Sequence, residues 1–92
     1  MIDILIVEDD AKLGPTIMKG LVEQGFASAL ADTGKKALES LKNSPSRLVV
    51  LDLGLPDCDG IDLLNTIRAQ HGSIPALILT ARDGITDNTN IP

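Results

Sequence analysis

Residues 2–7 read Ile-Asp-Ile-Leu-Ile-Val, an almost unbroken aliphatic run. A strand that is apolar on both faces cannot lie at a wet surface, so it belongs in a sheet covered on both sides, as parallel sheets are. Two later runs have the same character, Arg47 to Leu53 and Ala76 to Thr80, and Phe26 to Ala31 reads as a weaker, edge-like strand. Between them lie stretches with helical spacing. Ala11 to Gln24 carries Leu13, Ile17, Leu21 and Val22; Gly34 to Asn43 carries Ala37, Leu38 and Leu41; Gly60 to His71 carries Ile61, Leu64 and Ile67. The order βαβαβαβ predicts an α/β domain: a parallel sheet with right-handed crossovers and helices on both faces.

The punctuation agrees with these boundaries. Asp9 or Asp10 can cap the first helix, although Gly14-Pro15 should delay its start or bend it. Gly25 closes that helix, Asp32 or Thr33 caps the second, Ser44-Pro45-Ser46 is a turn, and Gly72 ends the third. Asp57 and Asp59 read as turn residues, and His71 as a cation suited to a helix C-terminus. Ninety-two residues make one small domain, and Phe26 is the only aromatic, so the 43% of hydrophobic residues must build an aliphatic core. Residues 84–92 have no periodicity and little to bury, and are expected to fray.

Charge and cysteine content exclude several roles. The net charge is −5, and the eight Lys and Arg are scattered singly apart from Lys35-Lys36. No basic stripe exists to follow phosphates, so direct nucleic-acid binding is not expected, whereas a cation or a basic partner surface suits the balance. Cys58 is the only cysteine, which rules out an internal disulfide and reads as an incidental thiol in a reducing compartment. No secretory start and no membrane-length apolar run occur, and a cytoplasmic location is expected.

The chemistry concentrates where strands end. Asp52 leaves the third strand, Glu8-Asp9-Asp10 leaves the first, and Thr80 ends the fourth. Parallel strands point one way, so Glu8, Asp9, Asp52 and Thr80 converge on one sheet edge if their strands are neighbours, at the end where open α/β sheets bind ligands. Carboxylates about 5 Å apart repel by roughly 3 kcal/mol per pair at an effective dielectric of 20. A divalent cation or raised pKa values relieve this, and an all-oxygen set favours Mg2+ or Mn2+ over zinc.

Val7-Glu8-Asp9-Asp10, Leu51-Asp52-Leu53-Gly54-Leu55-Pro56-Asp57-Cys58-Asp59-Gly60 and Leu79-Thr80-Ala81-Arg82 together resemble the receiver domain of bacterial two-component response regulators. The likeness is greatest to receivers of winged-helix, OmpR/PhoB-type transcription factors, and runs from residue 2 to about 84. It implies a flavodoxin-like, doubly wound parallel sheet, ordered 2-1-3-4 in this chain. It also implies that Asp52 is the phosphoacceptor for a sensor histidine kinase. Mg2+ would be held by Asp9, Asp52 and the Gly54 carbonyl, with Glu8 acting through water. Thr80 would contact the phosphoryl group beside a small Ala81, and Asp10 is left to cap the helix.

One departure accompanies the match. Receivers carry a lysine at the end of a fifth strand, well beyond the position of Thr80, and this sequence stops at Pro92 without it. Residues 1–92 are therefore expected to be a C-terminally truncated receiver, without the fifth strand and fifth helix, impaired as a switch. The outer edge of the fourth strand should then pair with another copy, giving a dimer or higher oligomer. Two other readings stand beside this one. A Mg2+-dependent aspartyl-phosphate phosphatase would place an acid two positions after the nucleophile, where this chain has Gly54. A non-catalytic dimerising interaction module would use only the open edge.

Overall fold

A computed structural model describes residues 1–79. Its elements are β1 (Ile2–Val7), α1 (Leu13–Glu23), β2 (Ser28–Ala31), α2 (Gly34–Asn43), β3 (Ser46–Asp52), α3 (Gly60–His71) and β4 (Ala76–Leu79). The four strands form one parallel sheet in the order β2-β1-β3-β4, as expected. The aliphatic run of β1 lies between β2 and β3, and its last four residues, Ile4 to Val7, are all buried.

Alternate residues serve opposite faces. Leu5, Val7, Val49, Leu51 and Ile78 join Ala37 and Leu41 of α2 and Leu63, Leu64 and Ile67 of α3 in the larger core. Ile4, Ile6 and Val50 face the other way, against Ile17, Met18 and Leu21 of α1. Helices therefore cover both faces, two on one side and one on the other.

Several boundaries and faces depart from the sequence reading. α1 begins at Leu13, so Pro15 is its third residue, inside the first turn, where a missing N–H removes no helical bond. Its inward stripe is Gly14, Ile17, Met18 and Leu21, which leaves Leu13 40% and Val22 50% exposed. In α3 the stripe is Gly60, Leu63, Leu64 and Ile67, and Ile61 is 48% exposed instead of facing inward. Both stripes keep the i, i+3, i+4, i+7 spacing of a buried helix face.

β2 starts at Ser28, because the Ala27 N–H donates to Asp3 Oδ2 at 2.8 Å and not to a strand ladder. β3 is shifted one residue earlier than expected, with Ser46 beside Ile2, and Leu53 already lies beyond it. The described part of β4 ends at Leu79, and the region expected to fray lies outside the described residues.

These faces make a contrast that equilibrium unfolding can check. Ile67→Ala, at a fully buried position, should lower stability by about 2–5 kcal/mol. Ile61→Ala, six residues earlier on the same helix, should stay within about 0.5 kcal/mol of wild type. Equal losses in urea titrations would contradict the assigned face.

Candidate functional site

β1 and β3 are parallel neighbours with Val7 beside Leu51, so the residues that follow, Glu8-Asp9 and Asp52, emerge side by side at one sheet edge. Carboxylate oxygens of Glu8, Asp9 and Asp52 all lie within 4.8 Å of one another. The three differ in environment: Glu8 is 4% exposed, Asp52 is half-buried and Asp9 is exposed. The sequence placed these three residues together, and the structure brings them together. Thr80 and Ala81, expected at the same edge, lie outside the described residues.

Glu8 carries most of the strain. Burial first, then a side-chain hydrogen bond with Asp52 and the negative charges of Asp52 and Asp9, push its carboxyl up to about 7. The Asp10 N–H donates to Glu8 Oε2 at 3.1 Å and opposes that rise. A buried acid that holds its proton near neutrality and shares it with a neighbouring carboxylate is one of the two ways to relieve the repulsion; a divalent cation is the other.

Asp10 stands apart, as read. Its Oδ1 accepts from the N–H groups of Lys12 and Leu13, both at 2.8 Å, and these bonds hold its carboxyl below the usual range. Its carboxylate ties the start of α1 and stays out of the acidic cluster, which Asp10 touches only through its backbone N–H.

The loop after Asp52 is folded tightly back. The Gly54 N–H donates to Asp52 Oδ1 at 3.1 Å, and Gly54 makes an isolated antiparallel bridge with Asp59. The Gly60 N–H donates to the Leu53 carbonyl at 3.2 Å, and a Cβ at Gly60 would meet the Leu53 Cα at 2.6 Å. Only glycine allows that backbone approach. Asp59 caps α3 through Oδ1, which accepts from Ile61 N–H at 2.7 Å. Asp57 does something the sequence did not show: it accepts from Gly34 and Lys35, at the start of α2. No local spacing encodes a partner 22 or 23 residues away.

The donor set fits a small hard cation. It is all oxygen, and carboxylate oxygens within 4.8 Å of one another suit a Mg2+-sized ion that keeps part of its water shell. A separate hollow of about 410 Å³, lined by Asp3, Ile4, Gly25, Phe26, Arg47 and Leu48, opens near the start of β1 and β3. Its acid lies 3.9 Å from Arg47 Nε, and it shares no residue with the carboxylate cluster.

Acidic groups at the C-terminal ends of the two central strands stand where α/β modules of the doubly wound class bind ligands. The family model for the response regulator receiver domain matches residues 4–91, and the chain belongs to that family. The chain is 46% identical over 84 residues to the transcriptional regulatory protein BasR of Escherichia coli K12. It is 42% identical over 84 residues to the transcriptional regulatory protein QseB of Haemophilus influenzae. Each match covers 91% of this chain and 38% of the relative's length. Such relatives agree with the OmpR/PhoB-type resemblance. Among solved structures, the non-phosphorylated HemR receiver domain from Leptospira biflexa aligns with a TM-score of 0.82 at 38% identity. That alignment covers 91% of this chain and 68% of the other.

The raised Glu8 carboxyl sets a pH dependence. Its folded value, about 7, exceeds the ordinary glutamate value of 4.5, so the folded state holds more protons between those values and stability falls as pH rises through the window. Asp10 and Asp57 are lowered, so their contributions are lost only at pH values below this window. Without divalent cations, stability should drop by roughly 1–3 kcal/mol from pH 4.5 to 7.5. Glu8→Gln should flatten that slope. An unchanged slope in the variant's denaturation curves would remove Glu8 as its cause.

Proposed function

We propose that this chain is a phosphoacceptor receiver module that takes a phosphoryl group from a sensor histidine kinase onto Asp52. The observation that carries the reading is the cluster of Glu8, Asp9 and Asp52 at the C-terminal edge of β1 and β3, in a chain of the receiver family. Residues 1–92 act as one receiver unit in this reading. They work in the cytoplasm, and no described helix is long and apolar enough to cross a membrane.

In the transfer, an Asp52 carboxylate oxygen attacks phosphorus, the bond from phosphorus to the donor's leaving group breaks, and that group departs with its electron pair. An acyl phosphate results. Phosphoryl transfer asks chiefly for alignment and charge neutralisation. Asp9, Asp52 and the Gly54 carbonyl would hold Mg2+, with Glu8 reaching it through water, and the cation's contribution is to offset negative charge around the transferring group. The Gly54 N–H already fixes one oxygen of Asp52, which orients the nucleophile. Thr80 contacts the phosphoryl group in this reading.

In this reading the chain makes no DNA contacts of its own, since a net charge of −5 with no basic stripe does not follow phosphates. β4 lies at an edge of the described sheet, with Leu77 50% exposed, and self-association through that edge is part of the proposal.

Incubation with Mg2+ and acetyl phosphate, followed by intact-mass measurement, tests the reading. One base-labile phosphoryl adduct per chain is expected, absent without Mg2+ and absent in Asp52→Asn. Sustained release of phosphate over many turnovers would identify a phosphatase instead, and no adduct would leave an interaction module. Sedimentation at micromolar concentration should show dimers or larger species; a monomer would refute edge pairing.

A further inference from the structure

Asp57 and Asp59 sit two residues apart in one loop, yet they serve different helices. Asp59 caps its own helix, α3. Asp57 reaches across to α2, where Oδ1 accepts from Gly34 N–H at 2.8 Å and Oδ2 from Lys35 N–H at 3.1 Å. The cap of α2 is otherwise Thr33, whose Oγ1 accepts only from Lys36 N–H at 3.1 Å. Between them the two side chains satisfy the first three N–H groups of the helix, which have no partner within it. The positive end of α2 also favours a carboxylate, and the two bonds hold Asp57 below its ordinary range.

The loop lies flush on the helix. A Cβ at Gly34 would meet Cys58 Sγ at 2.4 Å and Asp57 Oδ1 at 3.4 Å. At its other end the same loop is pinned by the Gly54–Asp59 bridge and by the Gly54 N–H bond to Asp52. A bracket therefore runs from Asp52, through Gly54 and Asp59, to Asp57 and α2. Asp57 is exposed, so its ties act on where the loop sits more than on whether the domain folds.

We propose that Asp57 is a positioning residue: by mooring the loop to the N-terminus of α2, it sets the backbone of Gly54 beside Asp52, and Gly34 is glycine so that the loop can dock. The functional part of this rests on the phosphoacceptor reading. Groups that orient ligands from one shell out change metal affinity by about 10- to 100-fold when removed. A comparable effect is expected here.

The test titrates Mg2+ into the chain, followed calorimetrically and by the NMR shift of the Gly54 amide, alongside acetyl phosphate labelling of Asp52. Asp57→Ala should weaken Mg2+ binding about tenfold, slow labelling, and displace the Gly54 amide before any cation is added. Asp57→Asn, which keeps one of the two acceptors, should recover part of the loss. Gly34→Ala should reproduce the Asp57→Ala defect, add little to it in the double variant, and be relieved by Cys58→Ala, which removes the sulfur that the new methyl meets.

Wild-type affinity and an unmoved Gly54 amide in folded Asp57→Ala overturn the proposal. So does a Gly34→Ala defect that Cys58→Ala leaves unrelieved. If the wild-type chain neither binds Mg2+ nor takes a phosphoryl group, the phosphoacceptor reading fails, and the mooring then stands or falls on the Gly54 amide alone.

Discussion

Everything at the acidic edge depends on the parallel pairing of β1 with β3. Their register sets Val7 beside Leu51, so the next residue of each strand is an acid and the two acids leave the sheet together. That register is held by apolar side chains on both faces: Leu5, Val7, Val49 and Leu51 toward α2 and α3, and Ile4, Ile6 and Val50 toward α1. A slip of one residue would turn every one of these side chains to the opposite face. The hydrophobic effect, summed over the central strands, thus keeps like charges within 4.8 Å of one another.

The repulsion is tolerated because it is placed where solvent, a shared proton or a cation can reach it. Glu8, the buried member, holds a proton up to about pH 7 and bonds Asp52. The other carboxylates of this end are turned to different work. Asp10, Asp57 and Asp59 each accept backbone N–H groups at the start of α1, α2 and α3, where the helix dipoles favour negative charge. Six of the chain's thirteen acidic residues are thus divided between one strained cluster and three helix starts.

Much of this was legible in the residues themselves. Unbroken aliphatic runs implied buried parallel strands, and the βαβ alternation implied their crossovers, because period and composition are local properties. α2 begins where Thr33 predicts and α3 ends where Gly72 predicts, while Asp59, read as a turn residue, proves to cap α3. The carboxylates of Glu8, Asp9 and Asp52 could be placed together once the strands were taken as parallel neighbours. The faces of α1 and α3 were read one residue off at Leu13, Val22 and Ile61, because an apolar residue near a helix end fits either of two adjacent stripes.

By itself the sequence determined the class of fold and which acids leave its strands, since both follow from patterns within a few residues of each other. Only the tertiary structure decided that Glu8 is buried while its neighbour Asp9 is exposed, and so that the Glu8 carboxyl is pushed up to about 7. It alone decided that Asp57 bonds a helix begun 23 residues earlier. Burial and long-range hydrogen bonds depend on which surfaces meet after folding, and no local spacing carries that information.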